Sequence, residues 1–348
     1  VLARAHWPSL IARTRSSGME SMTALDHCLH LALRDVIPAP AERVPMSDAL
    51  GAVLAEALHF PSDMPPMPEA LREGFAVTAL DLTGASASLP IALQAPLRLL
   101  PADPLPPGSD AVLPPDGVEH TQAGWEAIRP VSPGFAVRRA GHDGRAGALI
   151  APTGARLSER LCLVAALSGL RDCSIRRPRV AIDLPDPDQA AFAHRFLVKL
   201  GAQIVADAPH LILQPTRSTQ QRLALSPAKT AWLAHEQSAL VLSVPRRFDG
   251  MVAACLALAV PAMAALSMTT ALSAARPLGR KLASALGMSD LVLLSRQDDG
   301  WHPGPAGSVT LANLATADAF AIIPPESEGL AAGATLAGIS LSSPLGRT

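Results

Sequence analysis

Arg179-Val180-Ala181-Ile182-Asp183-Leu184, followed by a helical run from Ala190 to Leu200 that stops at Gly201, decides the fold. A short apolar run between Pro178 and Pro185 reads as a strand, and the longer run behind it as a helix. The step repeats: Gln203 to Val205 and Leu211 to Leu213 read as strands, and Leu240 to Val244 leads into an alanine-rich helix. Strands alternating with helices imply a parallel sheet with both faces covered. The alanine-rich stretch, Met251 to Ala275, carries no charge and has the length of a membrane span. Pro261 and several Ser and Thr residues dilute it, so with Leu256, Leu258, Val260 and Met263 it reads as a helix packed inside an α/β domain, with no membrane partner.

Upstream of this domain the periods differ. Leu25, Cys28, Leu29 and Leu33 recur at helical spacing over Thr23 to Leu33. A second helix is expected from Met46 to Leu58, with Ser47 as cap and Leu50, Val53, Leu54 and Ala57 on one face. From Phe75 to about Pro152 short runs (Phe75 to Val77, Ile91 to Leu93, Ala111 to Leu113, Phe135 to Val137) alternate with Gly/Pro/Asp/Ser clusters, which reads as a β-rich module. Helical spacing returns through Leu157, Leu161, Val164 and Leu167 and stops at Gly169. Beyond Arg276, Leu291 to Leu294, Ser308 to Leu311 and Ala319 to Ile323 read as strands of a small terminal β-module.

Composition narrows the function classes. The 348 residues suffice for two or three domains, and 49% are hydrophobic. With 29 Lys+Arg against 30 Asp+Glu and only 17% charged residues, nothing marks a nucleic-acid or anionic-membrane partner. Cys28, Cys162, Cys173 and Cys255 lie far apart without CxxC spacing, so neither a disulfide framework nor a zinc site is indicated and a cytoplasmic setting is expected. The ten histidines show no ligand spacing beyond His27 and His30 on one helix face. Residues 1–21 lack a signal-peptide core and read as an upstream extension, with the folded part beginning near Met22. Ser218 and Thr219 have no nearby His/Asp pattern that would make either a nucleophile.

Three ordered matches carry a resemblance. Leu50-Gly51-Ala52-Val53-Leu54-Ala55-Glu56, then Pro61-Ser62-Asp63-Met64-Pro65-Pro66, then Glu73-Gly74-Phe75-Ala76-Val77, resemble the LGRVLAED, Pro/Asp and SAMDGYAV segments of the MoeA/gephyrin E-domain family. Leu105-Pro106-Pro107-Gly108-Ser109-Asp110-Ala111-Val112-Leu113-Pro114 is similar to its LPxGADAVVP. Arg138-Arg139-Ala140-Gly141-His142-Asp143 with Gly147 resembles its R-x-x-G-x-D-x-x-x-G turn. The resemblance runs from about Met22 to the C-terminal Ile322-Ile323-Pro324, Gly329 and Gly333.

It implies an α/β multi-domain fold: N-terminal helices with a β-rich module, a central MogA-like doubly wound α/β domain and a small C-terminal β-barrel-like domain. The corresponding segments are residues 22–60 with 140–175, then 61–139, 176–274 and 275–348. It further implies a homodimer that inserts molybdate into adenylylated molybdopterin and releases AMP, with Mg²⁺ held by carboxylates and cations meeting phosphates. On that basis Glu73, Asp143 and Asp188 are the catalytic candidates and would hold Mg²⁺ or molybdate. Asp63, Lys229, Arg246 and Arg247 are the pterin-binding candidates.

The chain departs from the family where phosphates would sit. Glu73 replaces an aspartate. The STGDEL turn has become Asp183-Leu184-Pro185-Asp186-Pro187-Asp188, without glycine, and Asp188 is the candidate for its glutamate position. Gln214-Pro215-Thr216-Arg217-Ser218 stands where the family has SGGxSxGxxD. Val244-Pro245-Arg246-Arg247-Phe248-Asp249-Gly250 replaces LPGNPVS, and only part of KPGKP survives, around Lys229, one of three lysines. Prolines remove N–H donors, and the loss of glycine bars close backbone approach. Arg246 and Arg247 could replace the lost amides, since a guanidinium fork suits phosphate oxygens, or could form a surface pair. Asp63, Glu73 and Asp143 lie beside Pro and Gly, where acids also cap turns, and Asp186 and Asp188 could be a solvated loop. Two readings follow: a molybdopterin molybdenumtransferase with altered loops, or a non-catalytic paralogue that binds the cofactor as a chaperone or scaffold for a molybdoenzyme.

Overall fold

The computed structural model describes residues 22–122, 124–217, 221–342 and 344–346; the extension expected at 1–21, and Ser218 and Thr219, lie outside the described residues. The chain forms two compact units. One comprises Leu58–Ala151 and Leu163–Arg171, and the other the described residues up to Ala57, Pro152–Cys162 and the described residues from Asp172 onward.

The larger unit contains the expected parallel sheet. Its strand order is Gln203–Ile204, Arg179–Ile182, Leu211–Pro215, Ala239–Val244, Trp232–Glu236, with the first three junctions parallel and the last antiparallel. Val180, Leu211, Leu213, Leu240 and Leu242 are almost wholly buried, as a two-sided sheet requires. The helix Pro187–Lys199 buries Ala193, Phe196 and Leu197, and the N-terminal helix Leu25–Leu33 buries Leu25, Cys28 and Ala32. The Cys28 thiol donates to the Leu233 carbonyl at 3.6 Å, which ties that helix to the antiparallel edge strand.

The alanine-rich segment is a single helix, Phe248–Ser267, long and apolar enough to cross a membrane, with 83% of its most apolar window buried inside the fold. Gly250 through Val260 are all buried. Small side chains let its backbone approach the sheet closely, and a π turn at Cys255–Ala259 comes just before Pro261. A proline ring collides with the carbonyl four residues back, and a widened turn relieves the clash. Full burial pushes the Cys255 thiol up to about 12, so it stays protonated, and all four cysteines are unpaired.

The C-terminal segment forms a six-stranded sheet around Ser289–Gln297 and Ala319–Ile323, with Val292, Leu294, Trp301 and Ala319 in its core. The strand expected at Ser308 to Leu311 is absent. Thr310 instead caps the helix Leu311–Thr316, its hydroxyl accepting from the Asn313 N–H while the Asn313 side chain accepts from the Thr310 N–H.

The helix expected over Met46 to Leu58 is not formed either. Only the 3₁₀ turn Met46–Asp48 is helical, and Ser47 bonds the Asp48 carboxylate instead of capping. Gly51 then adopts φ +76° and the chain becomes extended. The Leu54 N–H donates to the Ala155 carbonyl, the Leu157 N–H to the Ala52 carbonyl, and Val53–Leu54 pair with Arg176 and Ile175. Strand partners from distant segments override the helical spacing. Sequence reading also missed the edge strand Trp232–Glu236, whose exposed end carries His235 and Glu236.

The smaller unit is β-rich, as expected. Gly74–Val77 pairs with Arg98–Leu99 and Ala111–Leu113 over a core of Val77, Leu82, Ala111, Leu113 and Ala127. Gly74 is required here, because a Cβ at this position would lie 2.4 Å from the Leu113 carbonyl oxygen. The strand expected at Phe135 to Val137 is displaced to Val137–Arg138, since Gly134 and Ala136 both take positive φ. The helix Glu159–Leu167 ends as expected, with Gly169 at φ +84°.

Candidate functional site

In the smaller unit two turns face each other and carry Asp63 and Asp143. The Met64 N–H donates to the Gly144 carbonyl, and the Asp143 N–H donates to the Met64 carbonyl, each at 2.8 Å. Asp63 Oδ1 accepts the Ala146 N–H at 2.8 Å, so its carboxylate closes the same pair of turns. Glycines permit the approach: at Gly141 a Cβ would lie 3.3 Å from Asp63 Cγ, and at Gly144 it would collide with the Phe60 ring. Asp143 takes Arg138 at 2.9 Å and His142 Nδ1 at 3.0 Å, and Arg138 also reaches Glu69 at 3.4 Å. Glu73 is engaged separately, by the Arg98 guanidinium on the neighbouring strand.

Each of these carboxylates therefore already meets a donor. Among the described residues no three His, Cys, Asp or Glu side chains converge to hold a metal. Among the described residues Glu73 and Asp143 share no partner, and Asp188 belongs to the other unit. As they stand, these acids do not fit a resident Mg²⁺.

The larger unit supplies the other candidates, at the carboxyl ends of the parallel strands. In open α/β sheets ligands bind outside these ends, where the strand order reverses. The reversal lies between Arg179–Ile182 and Leu211–Pro215. Asp183 follows the first strand and Arg217 the second, and their side chains pair at 3.6 Å, both largely exposed. The Thr216 hydroxyl donates to the Thr230 carbonyl at 2.8 Å, which brings the segment carrying exposed Lys229 beside this edge.

Asp186 and Asp188 do not form a solvated loop. Asp186 is the N-cap of the Pro187–Lys199 helix, accepting the Gln189 N–H at 2.9 Å, and Asp188 lies in its first turn. An acid at this position satisfies the orphan N–H groups and the helix dipole that would otherwise attract a phosphate. The Gln189 side chain donates to the Arg246 carbonyl at 2.7 Å, joining this helix start to the loop after Ala239–Val244. Arg247 is held by Asp249 through two hydrogen bonds of 3.2 and 2.9 Å. Burial pushes the Asp249 carboxyl up, but the Arg247 guanidinium and the Gly250 N–H outweigh it and hold it below the usual carboxylate range. Arg246 is exposed, and among the described residues no carboxylate pairs with it. Sequence reasoning missed the pairings of Arg98 with Glu73 and of Arg217 with Asp183, which only the fold brings into reach, and the local pairing of Arg247 with Asp249; Arg138 was visible in the turn motif.

Residues 22–169 match the family model of the MoeA N-terminal region, domains I and II. The molybdopterin molybdenumtransferase of Synechococcus elongatus is 27% identical over 40% of this chain and 39% of its own length. Molybdopterin molybdenumtransferase 2 of Mycobacterium tuberculosis is 28% identical over the same shares. The matched stretch is thus about two fifths of these curated relatives. The crystal structure of a molybdopterin biosynthesis moeA protein from Pyrococcus horikoshii OT3 superposes with a TM-score of 0.69 at 18% identity, covering 92% of this chain and all of that one. With the three motif matches in the same order, residues 22–169 are similar to the MoeA N-terminal region, and the fold over nearly the whole chain is similar to that of the Pyrococcus moeA protein.

Proposed function

We propose that the protein works in molybdenum cofactor biosynthesis, binding adenylylated molybdopterin and serving the insertion of molybdate with release of AMP. The observation that carries this reading is the contiguous match over residues 22–169, which contains the Asp63 and Asp143 turns. On the family resemblance Glu73, Asp143 and Asp188 each stand for a functional acid, and Asp63 braces the turn that presents Asp143. Lys229 and Arg246 supply exposed cations for phosphate oxygens, while Arg247 is partly neutralised by Asp249. Mg²⁺ belongs to the family resemblance, and among the described residues no acid cluster is formed to hold it. A second copy of the chain is the proposed partner, in the cytoplasm, and the exposed Leu163 and Leu167 of the Glu159–Leu167 helix suit such a contact. The four-part division at residues 22–60 with 140–175, 61–139, 176–274 and 275–348 is part of the same proposal.

The test is to mix the protein with adenylylated molybdopterin, Mg²⁺ and molybdate, following AMP by chromatography and retained pterin by fluorescence. AMP release well above that of a Glu73→Ala, Asp143→Ala chain is the expected outcome; neither release nor retention sinks the proposal. Retention without release would favour a binding protein that has lost its chemistry, as chaperone or scaffold for a molybdoenzyme. The self-capped helix start at Asp186 favours that second reading, because it leaves no open amide cradle for phosphate.

A further inference from the structure

Along the Pro187–Lys199 helix of the larger unit runs a cleft of about 490 Å³. Its apolar walls are Phe192, Phe196, Val252, Leu256, Leu314 and Leu341. Val252 and Leu256 are almost wholly buried and form the floor, while Phe192, Leu314 and Leu341 are half-buried and stand nearer the mouth. The Phe192 and Phe196 rings stack, with centroids 5.8 Å apart and planes within 7° of parallel. Phe192, Arg195, Phe196 and Lys199 follow one another at three- and four-residue spacing, so one helix face carries rings and cations together.

Charge is divided between the two ends of the cleft. Arg195 and Lys199 both line it and are exposed, and among the described residues neither pairs with a carboxylate. A cation in the last helical turn is favoured by the helix dipole, which accounts for Lys199 but not for Arg195, a turn farther in. Asp188 also lines the cleft, and at about 1.5 Å per residue it lies roughly 10 Å back along the axis from Arg195. Phe192 comes between them, so the cleft has an acidic end, an aromatic middle and a cationic end.

Small-molecule sites are mostly apolar clefts of roughly 300–1,000 Å³ in which a few polar groups fix the orientation of the ligand. The residues lining this one supply no hydroxyl and no side-chain amide. A pterin or a nucleotide, rich in hydrogen-bonding groups, would leave most of them unmatched here. An apolar body suits the walls, and one negative charge suits the adjacent cations. We propose that this cleft binds an apolar carboxylate of the fatty-acid type, its body against Phe192, Phe196 and Leu256 and its carboxylate at Arg195 and Lys199, away from Asp188. The proposal stands apart from the pterin reading, since only Asp188 is common to both and it takes no part in holding this ligand.

Titration calorimetry of the full chain with decanoate, below its micelle concentration and at low ionic strength, tests this against hexanoate, acetate and decyltrimethylammonium. Decanoate should bind saturably at one site per chain. Affinity should rise from hexanoate to decanoate as more apolar surface leaves water, whereas acetate lacks the body and the ammonium carries the wrong charge. The double variant Arg195→Gln, Lys199→Gln alters only exposed side chains, so it should fold normally and weaken decanoate at least about tenfold, the scale of a lost charged hydrogen bond. Asp188→Asn should tighten it modestly by removing a repulsion. No saturable decanoate binding, equal binding of the ammonium, affinity independent of chain length, full affinity in the double variant, or weakening by Asp188→Asn would each overturn the proposal.

Discussion

The two units hold their acids in opposite ways. In the smaller unit Asp63 closes a pair of facing turns and Asp143 is presented from one of them, with glycines keeping the backbones close and Arg138 beside the carboxylate. At the carboxyl edge of the larger unit, prolines and aspartates make up the turn after Arg179–Ile182, and Asp186 is spent on the start of its own helix. In the facing turns the backbone N–H groups close one turn on the other, as Met64 and Asp143 do, whereas at the helix start Asp186 takes up an N–H of its own helix.

Substitution at Gly74 breaks this comparison most severely. Gly74→Ala should destabilise the smaller unit by about 1–3 kcal/mol through overpacking, because the new Cβ meets backbone that cannot rotate away. Chemical denaturation read at Trp125, whose ring lies 5.4 Å from that of Phe75, reports it; an unchanged midpoint would mean that the strand is not held as tightly as described.

Asp186→Ala sharpens the contrast at the other edge. Loss of the cap should cost about 1 kcal/mol of stability and leave pterin retention unchanged or improved. If retention falls while stability holds, Asp186 is a ligand and the larger unit handles its acids as the smaller one does.

The smallest effect is electrostatic. Because the folded Asp249 carboxyl lies below its unfolded value, its contribution is complete above the unfolded pKa of about 3.9 and is lost as pH falls through the folded one. Melting curves of the wild type and Asp249→Asn should therefore differ slightly near neutrality and converge in acid. The difference should be modest and should shrink with salt, since Arg247 is largely exposed. A gap that widens on acidification would reverse the assigned sign.

Much of the scaffold is legible without coordinates. The runs Ile91–Leu93, Ala111–Leu113 and Ala319–Ile323 are strands as read, and the strand-helix alternation from Arg179 yields the parallel sheet. Runs with a single period and strong local breakers announce themselves. Residues Met46 to Leu58 do not, because apolar side chains at helical spacing serve equally well in a buried extended segment once partners arrive from residues 154–157 and 173–176. At the candidate site, motif order singled out Asp63 and Asp143, which the fold does bring to facing turns. Glu73 with Arg98, and Arg217 with Asp183, are pairings between distant segments that spacing cannot show.

Local chemistry thus determined what is local: breaks at glycine and proline, the period of each run, and the order of motifs that carries the MoeA resemblance. Tertiary structure alone decided which side chains meet. It turned Asp186 from a loop acid into a helix cap and placed Arg156 and Arg176 on either side of Val53. Hydrogen-bond and charge partners are chosen by distance in space, and strand pairing brings together residues that lie more than a hundred positions apart in the chain.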